Sequence, residues 1–280
     1  MILNHTTGSF QSADGTKIYT ESWLPDASPR AVVIIVHGLG EHIGRYSHVA
    51  PKLVDAGYAV YGLDHHGHGK SGGDPRTYFD SFDQPLNDLK QYLDSVKTAQ
   101  PGKKLFIYGH SLGSLITLAF ALRHQQDLAG LVLSGTTLAV ETVQPALLVI
   151  AASLLDKIAP KLAITPPLPS STLSRDEAVT RAYDTDPLVE HGNVRVRMGY
   201  QILSISRDVK ARLSTLKLPL FIFHGVDDKL CPPIGSQMLY DGAGTSDKTL
   251  KFYDGLRHET HNEPEQAMVI DNIINWLNAH

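Results

Sequence analysis

The sequence predicts an α/β fold: a mostly parallel sheet of eight strands with helices on both faces, interrupted by one insertion after the sixth strand. Three observations predict it. Short, continuous apolar runs recur, the clearest being AVVIIVH from Ala31 to His37, and such runs suit parallel strands covered on both faces. Stretches long enough for helices separate these runs, the alternation that builds a layered parallel sheet. The alternation lapses once, between Ser134 and Leu220.

Taken in order, Ser9 to Ala13 and Lys17 to Trp23 alternate in polarity around Asp14-Gly15, a dipeptide suited to a tight hairpin turn. They predict an antiparallel edge. Further strands are expected at Ala59 to Asp64, Leu105 to Gly109, Gly130 to Ser134, Leu220 to His224 and Leu250 to Tyr253. Helices are expected at Ser47 to Ala56, Leu86 to Thr98, Leu112 to His124 (amphipathic) and Glu265 to Leu277. The core therefore comprises residues 1–135 and 214–280, with a helical cap at 136–213. That stretch holds Pro145, Pro160 and the cluster Pro166-Pro167-Leu168-Pro169. Within it, Val143 to Ile158 is apolar on most sides, more than one packed face requires. A helix buried inside the cap and a lipid-facing lid both fit that pattern.

Composition narrows the function. A chain of 280 residues, 42% hydrophobic, buries a full core unaided. Its 25 Lys+Arg and 29 Asp+Glu give a net charge of −4 with the basic residues scattered, which argues against a nucleic-acid partner. Cys231 is the only cysteine, so no intrachain disulfide forms and a reducing compartment is compatible. Met1 to Ser12 lacks the pattern of a signal peptide, and Ala146 to Leu155 falls short of the ~20 apolar residues of a membrane span. The expected location is cytoplasmic, with peripheral contact to a membrane or micelle through the cap left open.

Gly109-His110-Ser111-Leu112-Gly113 fits G-x-S-x-G. Alone it reads as a Gly-rich turn. With a strand before it and a helix after it, it reads as a nucleophile elbow, which presents a serine at a sharp strand-to-helix turn between glycines that permit close packing. A serine needs a base to take its proton. In this arrangement acid and base follow on loops after later strands. The strand Leu220 to His224 runs into Asp227 and Asp228, and the strand Leu250 to Tyr253 runs into His258. Ester cleavage also needs oxyanion donors. His37-Gly38-Leu39-Gly40 after Val36 resembles the glycine-rich oxyanion turn of lipases and esterases, so the expected donors are the backbone N–H groups of Leu39 and Leu112.

Nearly the whole chain resembles the monoacylglycerol lipases, within the wider serine hydrolase family that includes lysophospholipases. The matching segments are HGLGEHIGRY (His37 to Tyr46), LDHHGHGKSGG (Leu63 to Gly73), GHSLGS (Gly109 to Ser114), YDTDPL (Tyr183 to Leu188), HGVDDKLCP (His224 to Pro232) and HETHNEPE (His258 to Glu265). The resemblance implies the α/β-hydrolase fold, with Ser111 as nucleophile, Asp228 rather than Asp227 as acid, and His258 as base. It further implies a polar head-group pocket of Glu41, Arg45, Tyr183 and His261; a structural salt-bridge network is the other reading of Glu41, Arg45 and His261. Ser114 stands where many relatives have Gly, and His66 where Arg is common.

Other chemistry is poorly supported. His65, His66 and His68 lack zinc-ligand spacing, and His258-Glu259-Thr260-His261 is one residue short of H-E-x-x-H. Gly38-Leu39-Gly40 lacks the rest of a dinucleotide fingerprint. The expectation is thus a cofactor-free, metal-free serine hydrolase that cleaves a monoacylglycerol or similar single-chain lipid ester through an acyl-enzyme. A lysophospholipase or broad carboxylesterase is the nearest alternative. An acyltransferase and a non-catalytic ligand-binding homologue stand further off.

Overall fold

A computed structural model describes residues 4–140, 153–165, 169–192 and 194–280. The strands are β1 (Asn4–Gln11), β2 (Lys17–Leu24), β3 (Ala31–Val36), β4 (Tyr58–Leu63), β5 (Leu105–His110) and β6 (Gly130–Ser134). Next come β7 (Ala163–Thr165) and β8 (Val194–Arg195), which pair as a separate ribbon, and then β9 (Leu220–Gly225) and β10 (Lys248–Tyr253). The main sheet has the order β1-β2-β4-β3-β5-β6-β9-β10. It is antiparallel from β1 to β4 and parallel from β4 onward.

Every residue of β3, β4, β5, β6 and β9 is buried, as strands covered on both faces must be. Side chains alternate between the two faces. Val32, Ile34 and Val36 join one apolar cluster with the helices α2 (Asp83–Ala99) and α3 (Leu112–His124). Val33 and Ile35 join the other with α1 (Val49–Asp55) and the C-terminal helix Gln266–Ala279.

Two expectations need correction. The first strand begins earlier than Ser9, because β1 pairs with β2 along its whole length, from Asn4 opposite Leu24 to Gln11 opposite Lys17. Its residues are mostly exposed, so backbone pairing rather than an apolar face defines it. Helix α3 is not amphipathic: Leu112 to Leu122 are all buried, because α3 lies between the sheet and a helix of the insertion.

Between β6 and β9 the described chain holds the β7–β8 ribbon, α4 (Glu177–Thr185) and α5 (Val196–Arg212). It is α5 that covers α3, burying Met198 and Val209 in the main cluster. Of the apolar stretch Val143 to Ile158, residues 143–152 lie outside the described residues. The rest, 153–158, is helical, with Leu154 59% and Ile158 81% exposed. After β9, α6 (Ile234–Gly242) and the C-terminal α7 (Gln266–Ala279) complete the fold.

Candidate active site

Ser111 joins β5 to α3 with φ 54° and ψ −121°, a backbone region L-residues rarely occupy. It is half-buried between buried neighbours. Close approach enforces the turn: a Cβ on Gly113 would lie 2.0 Å from the Val36 carbonyl oxygen, so only glycine lets α3 start against the end of β3. A Cβ on Gly38 would lie 3.1 Å from Ser111 Cβ, which puts the turn after β3 directly against the serine. Ser114 caps the arrangement by donating its hydroxyl to the Ser111 carbonyl at 2.7 Å.

The loops after β9 and β10 bring Asp228 and His258 together. His258 Nδ1 donates to Asp228 Oδ2 at 2.7 Å, and both side chains are almost entirely buried. Asp228 Oδ1 accepts from the backbone N–H groups of Leu230 and Cys231 at 2.8 and 2.9 Å. Burial alone would raise the carboxyl's pKa, but the His258 charge and the histidine hydrogen bonds hold it well below the usual carboxylate range. For His258 burial favours the neutral ring, yet the Asp228 charge and hydrogen bond raise its pKa above the ordinary value. The ring of His110, next to Ser111 in the chain, packs on His258 with centroids 4.8 Å apart. Cys231 is buried, and burial and the Asp228 charge push its thiol pKa well up.

Buried polar contacts fix the glycine turn. His65 N–H donates to His37 Nε2 at 3.0 Å, so the His37 proton is on Nδ1, where it donates to the Gly38 carbonyl at 2.8 Å. Burial drives the pKa of His37 well below its ordinary value, so the ring stays neutral. Glu41 Oε1 accepts from Gly38 N–H at 2.6 Å and from the Tyr46 hydroxyl at 3.0 Å. Leu39 is half-buried, while Leu112 opens α3, where helix N–H groups lack internal partners.

The structure also brings Glu41, Arg45 and Tyr183 together. Arg45 donates to Glu41 at 2.9 Å and grips Glu259 with two bonds of 2.5 and 2.6 Å. Its guanidinium stacks 4.9 Å from the Tyr183 ring centroid. Burial and the neighbouring Glu259 charge raise the Glu41 pKa, whereas Arg45 overcomes burial to hold Glu259 down at about 2. His261 lies behind, fully buried, stacked on Tyr46 and 3.1 Å from the Tyr108 hydroxyl through Nδ1. Its Nε2 has no hydrogen-bond partner among the described residues. Beside this network a small cleft is lined by Leu39, Gly40 and Thr77 and by Tyr183, Glu190 and Val194 of the insertion.

The family described as Hydrolase_4, serine aminopeptidase S33, matches residues 27–265. A monoacylglycerol lipase of Mycolicibacterium smegmatis is 36% identical over 97% of this chain and 96% of its own length. The chain is a member of the monoacylglycerol lipase family. A Homo sapiens monoglyceride lipase is 35% identical over 95% of this chain and 88% of its own. The crystal structure of a Paleococcus ferrophilus monoacylglycerol lipase superposes with a TM-score of 0.83 at 29% identity, covering 100% of both chains. The fold is the α/β-hydrolase fold and the activity that of a carboxylic ester hydrolase.

The sequence motifs do not single out His224, whose ring contacts Asp228, or Glu259, which holds Arg45. A histidine closing an apolar strand and a glutamate in a loop carry no local pattern that marks them. His65, His66 and His68 bond to His37, Thr16 and backbone carbonyls. Among the described residues no group of three or more His, Cys, Asp or Glu could hold a metal ion.

Proposed function

We propose that this chain hydrolyses monoacylglycerols to glycerol and free fatty acid through an acyl-enzyme on Ser111. The observation that carries the reading is the buried Asp228–His258 pair, packed on His110 beside the strained Ser111. It occurs in a chain aligned over nearly its whole length with monoacylglycerol lipases. His258 takes the Ser111 proton as Oγ attacks the ester carbonyl. The backbone N–H groups of Leu39 and Leu112 hold the resulting oxyanion, each such donor contributing about 3–4 kcal/mol to the barrier reduction. Collapse expels glycerol, protonated by His258, and water clears the acyl group by the same sequence in reverse roles.

In this reading residues 136–213 form the cap, anchored by α5 on α3, and Tyr183 brings the cap to the head-group side. Tyr183 forms the wall of the glycerol pocket, with Glu41, Arg45 and the enclosed His261 behind it. Glu41 and Arg45 act chiefly as its frame, since their hydrogen bonds are taken up by Gly38, Tyr46, Glu259 and each other. The acyl chain runs under the apolar part of the cap, through which the enzyme touches a membrane or micelle from the cytoplasm. The test is a turnover panel of monoacylglycerols graded by chain length, a lysophosphatidylcholine and short aryl esters. Monoacylglycerols should give the highest kcat/KM, and Ser111→Ala should lower it at least about a thousandfold while leaving the protein folded. A preference for the lysophospholipid, or substantial activity in Ser111→Ala, would refute the assignment.

A further inference from the structure

Asp228 Oδ2 serves two imidazoles. Besides His258, it receives His224 Nε2 at 2.9 Å, and the same nitrogen lies 2.9 Å from the Cys231 carbonyl oxygen. Both partners of Nε2 are acceptors, so that nitrogen carries the proton and shares it between them. The other nitrogen, Nδ1, sits 2.7 Å from Ser236 Oγ. His224, Asp228 and Ser236 are all buried, and the side chains of His224 and Asp228 are fully enclosed. With the Leu230 and Cys231 amides on Oδ1, the carboxylate has four donors for its roughly four acceptor sites. Three come from its own loop and from the partner imidazole. Only His224 ties it back to the rigid strand β9.

We propose that His224 is a positioning residue for the hydrolytic reaction. It fixes the rotation of the Asp228 carboxylate, so that Oδ2 faces His258 Nδ1 and the base keeps the tautomer and orientation that serve Ser111. The inference rests on the reading of Asp228 as the acid. Because His224 touches neither substrate nor the reacting atoms, its whole effect passes through Asp228, and the two residues should act as one unit.

A double-mutant cycle on the full chain tests this, with kcat and KM measured on a monoacylglycerol and folding checked by thermal melting. His224→Leu should lower kcat about 10–100-fold, the scale on which outer partners of metal ligands act, with KM changed less than about twofold. His224→Gln, whose amide nitrogen reaches the place of Nε2, should restore kcat to within about threefold of the parent. Asp228→Asn should lose about 10⁴-fold in kcat. Adding His224→Leu to it should cost less than about twofold more. A His224→Leu loss carried in full into the Asp228→Asn background would overturn the proposal, as would Gln behaving like Leu. Should Asp228→Asn retain parent activity, the acid assignment itself falls and the role of His224 falls with it. Ser236→Ala keeps the test available if His224→Leu does not fold: its smaller kcat loss should likewise vanish in Asp228→Asn, and persistence there would also overturn the inference.

Discussion

Asp227 and Asp228 are adjacent in sequence and opposite in environment. Asp227 is exposed, while Asp228 is buried beneath two histidines. Asp228→Asn should therefore cost several orders of magnitude in kcat and Asp227→Asn less than about threefold; steady-state kinetics on the two variants checks this, and the reverse ranking would mean that the acid has been misassigned. The pH profile belongs to the same contact. Asp228 raises the pKa of His258, and as the proposed base His258 works only when neutral, so activity should fall on the acid side through a value above the ordinary histidine pKa of about 6.5. A kcat/KM titration should find that limb. Ser111, Asp228 and His258 are proposed from sequence because nucleophile, acid and base follow strands in a fixed order in this fold, and the structure brings Asp228 and His258 into contact. The contacts of His224 are not legible in the sequence, since they depend on how β9 meets a loop four residues later and a helix twelve residues later.

At the level of elements, Arg45 links the segment after β3 to the loop after β10 by gripping both Glu41 and Glu259. Replacing it with Met would leave two buried carboxylates without their cation, which costs about 3–5 kcal/mol. Arg45→Met should lower Tm by roughly 6–15 °C at the few degrees per kcal/mol typical of domains of this class, as differential scanning calorimetry would read. The sign of the acid response follows from Glu259. Its folded pKa of about 2 is below its unfolded value, so its contribution is complete above the ordinary 4.5 and is lost as pH falls toward 2. Strands β3, β4, β5, β6 and β9 were legible because burial on both faces leaves continuous apolar runs. Strand β1 was legible only at its end near the hairpin turn, since the rest is exposed and held by backbone pairing, and α4 and α5 were hidden in a stretch punctuated by proline, where no alternation with strands marks them. Neither Tyr183 stacked on Arg45 nor α5 covering α3 follows from local pattern, because both join segments more than 70 residues apart.

For the molecule as a whole, the open matter is how a lipid substrate meets a protein in which, among the described residues, no helix is long and apolar enough to cross a membrane. The insertion offers apolar surface: Leu154, Ile158 and Leu162 are 59%, 81% and 49% exposed. Leu154 and Ile158 stand four apart in a helical segment and so share one face, whereas Leu155 is half-buried. Apolar side chains exposed together on one helix face can mark an interaction site, and amphipathic helices bind the interfacial region of a bilayer or micelle through such a face. The pair Leu154→Glu and Ile158→Glu should consequently reduce turnover of a long-chain monoacylglycerol in micelles or vesicles by about tenfold or more. A short, water-soluble aryl ester needs no lipid surface, so the same variant should cleave it at nearly the parent rate. Vesicle co-sedimentation should fall in parallel with the long-chain activity. Equal loss on both substrates would point to damage in the insertion rather than to lost docking, and unchanged long-chain turnover would remove this face from the route by which substrate arrives.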